Sequence, residues 1–273
     1  MNLESILKKY LSERPLFLSL IRAKEAELYQ KYLPLKKPVL DVGCGDGFFV
    51  KVTFRVRPLA RLRSDPVRDL RPDPVIDVGL DLKDSRIEEA KQLNIYKKLV
   101  IYNGRKIPLP NNSFSTVISN CVLEHVSDLY NVVKEVNRVL KPEGTFLTTV
   151  MAKPWEENLF GTKIIGGAYK EWMRKRQLHR NLLSRTEWDQ MFQRAGFTIK
   201  ESTGYLNPQA CAVIDLSHYL SIPSLISYKL FGRWILFEGL AVKLIPVKYL
   251  VKVLSEKVLK DESGAIFYAL KKK

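Results

Sequence analysis

The sequence predicts an α/β fold, a doubly wound parallel sheet covered by helices on both faces. A helical lead-in precedes the sheet, and an apolar helical insertion interrupts it before the last strand. Three observations carry this expectation. Short β-rich runs alternate with helical ones, the first such run ends in a glycine-rich turn, and a long apolar stretch separates the last two strand candidates. With 273 residues, 46% of them hydrophobic and 27% charged, the chain can bury one sizeable core, so disorder is a poor description of the whole.

Taken in order, residues 3–33 read as two helices broken near Pro15, with Leu16, Leu20 and Ala23 on one stripe. Strand candidates follow at 38–43, 75–82, 98–102, 115–120 and 145–150. Between them lie helices at 84–94, opened by Asp84 or Ser85, and at 128–140, opened by Ser127 or Asp128 and stopped before Pro142 and Gly144. Residues 182–203 read as a helix capped at Ser184 or Thr186, then Gly196 and a strand. The expected organisation is a lead-in over 1–37, a core over 38–204, an apolar insertion over 205–262 and a closing strand over 263–273.

Two segments depart from a plain core. Residues 54–74 hold six arginines, no lysine and four prolines, too many for one regular helix, and read as an exposed basic insertion. In the apolar insertion, Lys229, Arg233 and Lys243 fall within about 40° of one another at about 100° per residue, leaving much of a helix circumference apolar. Arg233 and Glu238 interrupt the longest apolar run and Pro246 ends it, so a membrane-spanning helix is not expected. A substrate cap, a dimer interface and a helix lying on an anionic membrane surface all fit that pattern.

The formal charge of +16 bears on partners, namely nucleic acid, an anionic membrane or an acidic substrate, and not on fold. Cys44, Cys121 and Cys211 show no C-x-x-C spacing, which argues against a disulfide framework or a zinc site and for a cytoplasmic, reducing location. The first twenty residues lack the basic start, apolar run and cleavage site of a secretory signal.

The stretch "VLDVGCGDGFF" (39–49) places Gly43, Gly45 and Gly47 at alternate positions where a strand turns into a helix. Such a turn offers free N–H groups and close backbone approach to a nucleotide-like ligand, and a Cβ at any of the three is expected to stand between chain and ligand. The spacing is neither the dinucleotide G-x-G-x-x-G nor a P-loop. Asp81 ends the next strand, where an acidic group can accept from both hydroxyls of a ribose.

Together "VLDVGCGDGFF", "VGLDL", "IPLPNNSFSTVISNCVLEHV" and "EVNRVLKPEGTFLTTV" resemble the class I S-adenosylmethionine-dependent methyltransferases, in particular the broad group with quinone-biosynthesis members. The likeness runs over residues 38–151 and returns at 182–204. It implies a Rossmann-like seven-stranded sheet and S-adenosyl-L-methionine as cofactor. It further implies that Asp41 and the backbone of Gly43, Gly45 and Gly47 hold the methionine part, that Asp81 takes the ribose hydroxyls and that Leu82 packs on the adenine. Asn103 and Gly104 stand where the family reads the adenine amino group, usually with an aspartate, and the Asn103 oxygen is expected to accept from that group. Asn120 would lie beside the methyl group. Asp41 and Asp81 are 40 positions apart, about twice the usual separation, and the arginine-rich insertion accounts for the excess.

Methyl transfer from a sulfonium needs alignment in a dry pocket, and a hydroxyl or amine acceptor also needs a base. His125 is the candidate base, against the alternative that Glu124 and His125 only cap the next helix. The sequence-level reading is a methyltransferase acting on a small or lipid-linked biosynthetic acceptor, with a membrane surface as a further partner. An RNA methyltransferase docking through its basic surface and an inactive interaction module are the rivals.

Overall fold

Asn2 opens the first helix by accepting the Ser5 N–H at 3.0 Å, and Leu3, Ile6, Leu7, Tyr10 and Leu11 recur at helical spacing as its buried face. The computed structural model describes residues 1–54, 76–259 and 261–273. Helix α1 spans Leu3–Leu11, and Pro15 then stands at the N-cap of α2 (Leu16–Tyr29), where its missing N–H costs nothing. The arginine-rich insertion expected at 54–74 lies, from residue 55 on, outside the described residues.

The alternation of strands and helices follows as β1 (Val39–Val42), α3 (Phe48–Thr53), β2 (Ile76–Leu82), α4 (Ile87–Gln92), β3 (Tyr96–Tyr102), β4 (Phe114–Asn120), α5 (Leu129–Val139) and β5 (Leu140–Met151). Short helices α6 (Pro154–Glu157), α7 (Phe160–Ile165) and α8 (Gly167–Arg176) come next, then α9 (Arg185–Arg194) and β6 (Phe197–Gly204). The chain closes with α10 (Pro208–Leu220), α11 (Ile222–Phe231), α12 (Glu238–Leu244), α13 (Val247–Ser255) and β7 (Ala265–Lys272).

The strands form one seven-stranded mixed sheet in the order β3-β2-β1-β4-β5-β7-β6. Pairings β3 to β2, β2 to β1, β1 to β4 and β4 to β5 are parallel. The order reverses between β1 and β4, and a doubly wound sheet takes its ligand at the carboxyl ends of the strands flanking such a reversal. Asp41 sits there, in register with Gly79 of β2 and Ile118 of β4.

Some boundaries move from their expected places for local reasons. The helix expected at 84–94 is only Ile87–Gln92, because Asn94 turns left-handed at φ +54°. Strand β5 begins at Leu140 rather than 145, and the irregular "KPEG" start is absorbed by a register shift between Phe114 and Thr116. Ahead of α9, the Ser184 hydroxyl accepts from the Glu187 N–H while Glu187 accepts from the Ser184 N–H, a capping box.

Two compact units are distinguished. The unit of residues 32–149, 189–201 and 268–273 carries most of the sheet and packs Phe146 against Phe192 and Phe197, with Tyr268 on Phe192 at 4.9 Å between ring centroids. The unit of residues 1–31, 150–188 and 202–267 is helical and built on buried acidic hubs. Glu25 accepts from the Tyr205 hydroxyl at 2.8 Å, and Asp215 accepts from the Tyr169 hydroxyl at 2.7 Å and the Gly161 N–H at 3.0 Å. The single basic stripe expected for Lys229, Arg233 and Lys243 is not formed as one helix. Lys229 is on α11, Arg233 follows the helix-ending Gly232, and Lys243 is on α12.

Candidate functional site

The three glycines of the turn are all left-handed, with φ of +79°, +54° and +73°, and they are needed for different reasons. A Cβ on Gly43 would lie 2.3 Å from Val122 Cγ2, and one on Gly47 would meet Ile95, Tyr96 and Ala90 at 3.2–3.3 Å. A Cβ on Gly45 would meet nothing within 4 Å. The expectation that each glycine clears the way for a ligand therefore narrows to Gly45. Gly43 and Gly47 make room for protein.

What Gly47 makes room for is Tyr96. Its ring also lies against Gly79, where a Cβ would come within 2.8 Å of Tyr96 Cδ1, and its hydroxyl donates to Asp41 Oδ2 at 2.8 Å. Asp41 is 4% exposed. Burial pushes its carboxyl up to about 7 and the nearby Asp81 charge adds to that, while the Tyr96 hydrogen bond opposes it. The site thus holds a carboxyl that a cation placed beside it would favour in the ionised form, its proton going to solvent.

Asp81 ends β2 half-buried. Its Oδ2 accepts from the Gly45 N–H at 2.6 Å and its Oδ1 from the Leu82 N–H at 2.7 Å, which fixes the carboxylate against the turn. Burial raises its carboxyl above the usual range, and these two N–H bonds pull it back. Two oxygens carry about four acceptor positions, so capacity remains for ligand hydroxyls. Leu82 is 47% exposed, and a Cβ on Gly104 would stand 3.2 Å from its Cδ2, so the Leu82 side chain lies against Gly104 as an apolar wall.

Asn103 lies in the loop beside that wall, but its Oδ1 accepts from the Arg105 N–H at 3.0 Å and the Lys106 N–H at 3.2 Å. The oxygen expected to read an adenine amino group instead holds an Asx turn. Asn120, at the end of β4, accepts from the Thr149 hydroxyl at 2.9 Å. Cys121 then turns left-handed at φ +50°, its N–H bonded to Thr149.

His125 is exposed, in a short 3-10 turn over Leu123–His125, and Glu124 beside it is buried. The cap of α5 is Asp128, which accepts from the Asn131 N–H.

Sequence reading did not single out Tyr96 and Thr149. Only the register that sets β3 beside β2, and β5 beside β4, brings Tyr96 to Asp41 and Thr149 to Asn120. Gly79 was the available signal, because a glycine inside a buried strand marks close approach by another group.

The arrangement fits S-adenosylmethionine: open space over Gly45, an acceptor at Asp81, an apolar wall at Leu82 and Gly104, and a buried carboxyl at Asp41. The methyltransferase domain family matches residues 10–202, more than half of the chain. A malonyl-(acyl-carrier protein) O-methyltransferase of Legionella pneumophila is 29% identical over 126 residues, covering 45% of this chain and 38% of that protein. A demethylmenaquinone methyltransferase of Geobacillus sp. is 29% identical over 140 residues, covering 46% of this chain and 58% of that protein. The chain thus spans less than two thirds of these curated relatives. A solved SAM-dependent methyltransferase from Thermotoga maritima superposes with a TM-score of 0.54 at 16% identity, over 94% of this chain and 92% of that one, a likeness of fold.

Proposed function

The chain belongs to the methyltransferase domain family, of the class I, S-adenosylmethionine-dependent type, and on that premise we propose that it methylates a small or lipid-linked biosynthetic acceptor. The observation that carries the reading is the pairing of Gly45 with Asp81: an open left-handed turn whose N–H holds a strand-end carboxylate that keeps acceptor capacity for ribose hydroxyls. The acceptor class is supported by relatives named for malonyl-(acyl-carrier protein) and demethylmenaquinone.

S-adenosylmethionine, when bound, supplies a methyl group on a positively charged sulfur. Asp41, once ionised, holds the cationic methionine end, and Tyr96 keeps that carboxyl in one orientation. Asp81 accepts from ribose hydroxyls, while Leu82 and Gly104 pack on the adenine ring. Asn120 and Thr149, bonded to each other, fix the end of β4 that would border the cofactor's methyl group. His125 takes the proton that a hydroxyl or amine acceptor must lose. Alignment of nucleophile and methyl in a site shielded from water does the rest.

The experiment is transfer of labelled methyl from the cofactor into quinone and acyl-carrier fractions of a cell extract. Label in a small or lipid-extractable product is expected. Label confined to RNA would replace the reading, and cofactor binding with no transfer to any fraction would favour an interaction module.

A further inference from the structure

Among the described residues, 21 large hydrophobic side chains are exposed, and eleven of them fall within 216–244, about a tenth of the chain. Helix α11 is the centre of this patch. Ile222, Leu225, Ile226, Leu230 and Phe231 are all exposed, and Ser227 is the one residue the helix buries. Exposed apolar surface this concentrated marks a contact surface rather than the scattered hydrophobes of any protein.

The patch is held in shape. Gly232, at φ +68°, ends α11, and the chain folds back so that the Ser227 hydroxyl donates to the Arg233 carbonyl at 2.7 Å. Trp234 then stacks on Tyr228 at 4.2 Å between centroids, leaving Leu230, Phe231 and Phe237 outward. Beside it, an apolar cleft of about 380 Å³ is lined by Leu216, Leu220 and Leu244, which are themselves exposed. The cleft therefore opens onto the patch.

Charge selects the partner. Lys229, Arg233, Lys243, Lys248 and Lys252 are exposed along this stretch, and Glu238 is the one acidic residue between 216 and 252. A second copy of the chain would bring like charges together, which opposes a dimer through this face. A spanning segment does not fit either. The bent pair α10 and α11 has the length and apolarity for one, but α10 carries Asp215, fully buried in protein and accepting from Tyr169 and Gly161.

We propose that α11, the turn after it and α12 dock on the surface of an anionic lipid bilayer, inserting apolar side chains while the basic residues meet lipid headgroups. Helix α10 anchors this element to its unit, and lysines beside apolar residues reach headgroups while their stems cover hydrocarbon. The inference does not rest on the identity of the methyl acceptor, and its test is read without activity.

The test is flotation of the full chain with vesicles of phosphatidylcholine alone or with added phosphatidylglycerol, at low and high salt. The expected result is binding to the anionic vesicles at low salt, lost at high salt. Each of Lys229→Glu and Lys243→Glu should lower the partition about fivefold or more, since one basic residue near such a surface contributes about that factor. Leu230→Asp combined with Phe231→Asp should abolish it. No flotation of the unmodified chain at low salt, or equal flotation with neutral vesicles, would overturn the proposal. So would a dimer in light scattering that the Leu230→Asp, Phe231→Asp variant dissociates, which would give the face to a second copy.

Discussion

Asp41 and Phe231 stand at opposite extremes of how this chain uses its side chains. Asp41 is 4% exposed, hydrogen-bonded to Tyr96 and held near Gly43 and Gly79, where a Cβ would collide, whereas Phe231 is 62% exposed on a helix that buries one serine. Around Asp41 the fold has fixed polar geometry before any ligand arrives, which favours one small, charged partner. Around Phe231 it has left area and diffuse positive charge, which favours a large surface without fixed shape. The turn reads detail and the helix reads a medium, so changes at the two places should fail in different ways.

The sharpest break is expected at Gly43. Its backbone is left-handed and a Cβ would sit 2.3 Å from Val122, so Gly43→Ala combines backbone strain with overpacking and should cost about 2–4 kcal/mol of stability, read as a lower denaturation midpoint. Gly45→Ala supplies the contrast inside the same motif. With open space around it, the cost in stability should be about 1–2 kcal/mol, the backbone term alone, while cofactor affinity falls because the methyl occupies the ligand's approach. Calorimetry and thermal melts on the pair separate the two roles.

Asp81→Ala should come next, weakening cofactor binding by about 1.5–3 kcal/mol, the range for a hydrogen bond to a charged group. It also leaves the Gly45 and Leu82 N–H groups without their acceptor, so a smaller loss of stability should accompany it.

The pH dependence of binding probes Asp41. Its carboxyl is raised from 3.8 to about 7, so the protonated form is favoured in the folded, ligand-free chain. The stability this contributes is present below about pH 4 and is lost as pH rises toward 7. Binding of a cationic methionine end runs the other way. Affinity should climb by up to about tenfold per pH unit below 7 and level off above it, with proton release per ligand falling from about one well below 7 to none above it. Tyr96→Phe removes the hydrogen bond that opposes the upward shift, so the midpoint should move to higher pH, read by titration calorimetry in buffers of different ionisation heat.

The smallest effect on folding belongs to the apolar patch. Leu230→Asp and Phe231→Asp change side chains that are 69% and 62% exposed, so stability should move by no more than about 0.5 kcal/mol and cofactor affinity not at all. A large loss of stability there would mean that the patch packs against something within the chain.

How much the sequence disclosed follows the same division. The sheet, the glycine turn and Asp81 were legible because each rests on local signals: strand alternation, residues that tolerate positive φ, and an acid at a strand end. Tyr96 was not, because its bond to Asp41 spans 55 positions and exists only through strand register. Asn103 shows the reverse failure. Its place in the loop beside Leu82 and Gly104 follows from the strand end before it, but a local Asx turn takes its oxygen. In the insertion, composition carried the apolar and basic character, while angular periodicity misled because Gly232 and the turn after it divide one apparent helix into two.

The central claim is that the Gly45 and Asp81 pair forms the cofactor site. Its most direct test is calorimetric titration of S-adenosylhomocysteine into the unmodified chain, Asp81→Ala and the Leu230→Asp, Phe231→Asp variant. The account predicts binding to the unmodified chain, a loss of about tenfold or more in Asp81→Ala, and unchanged affinity in the patch variant. Equal affinity in Asp81→Ala and the unmodified chain would contradict it.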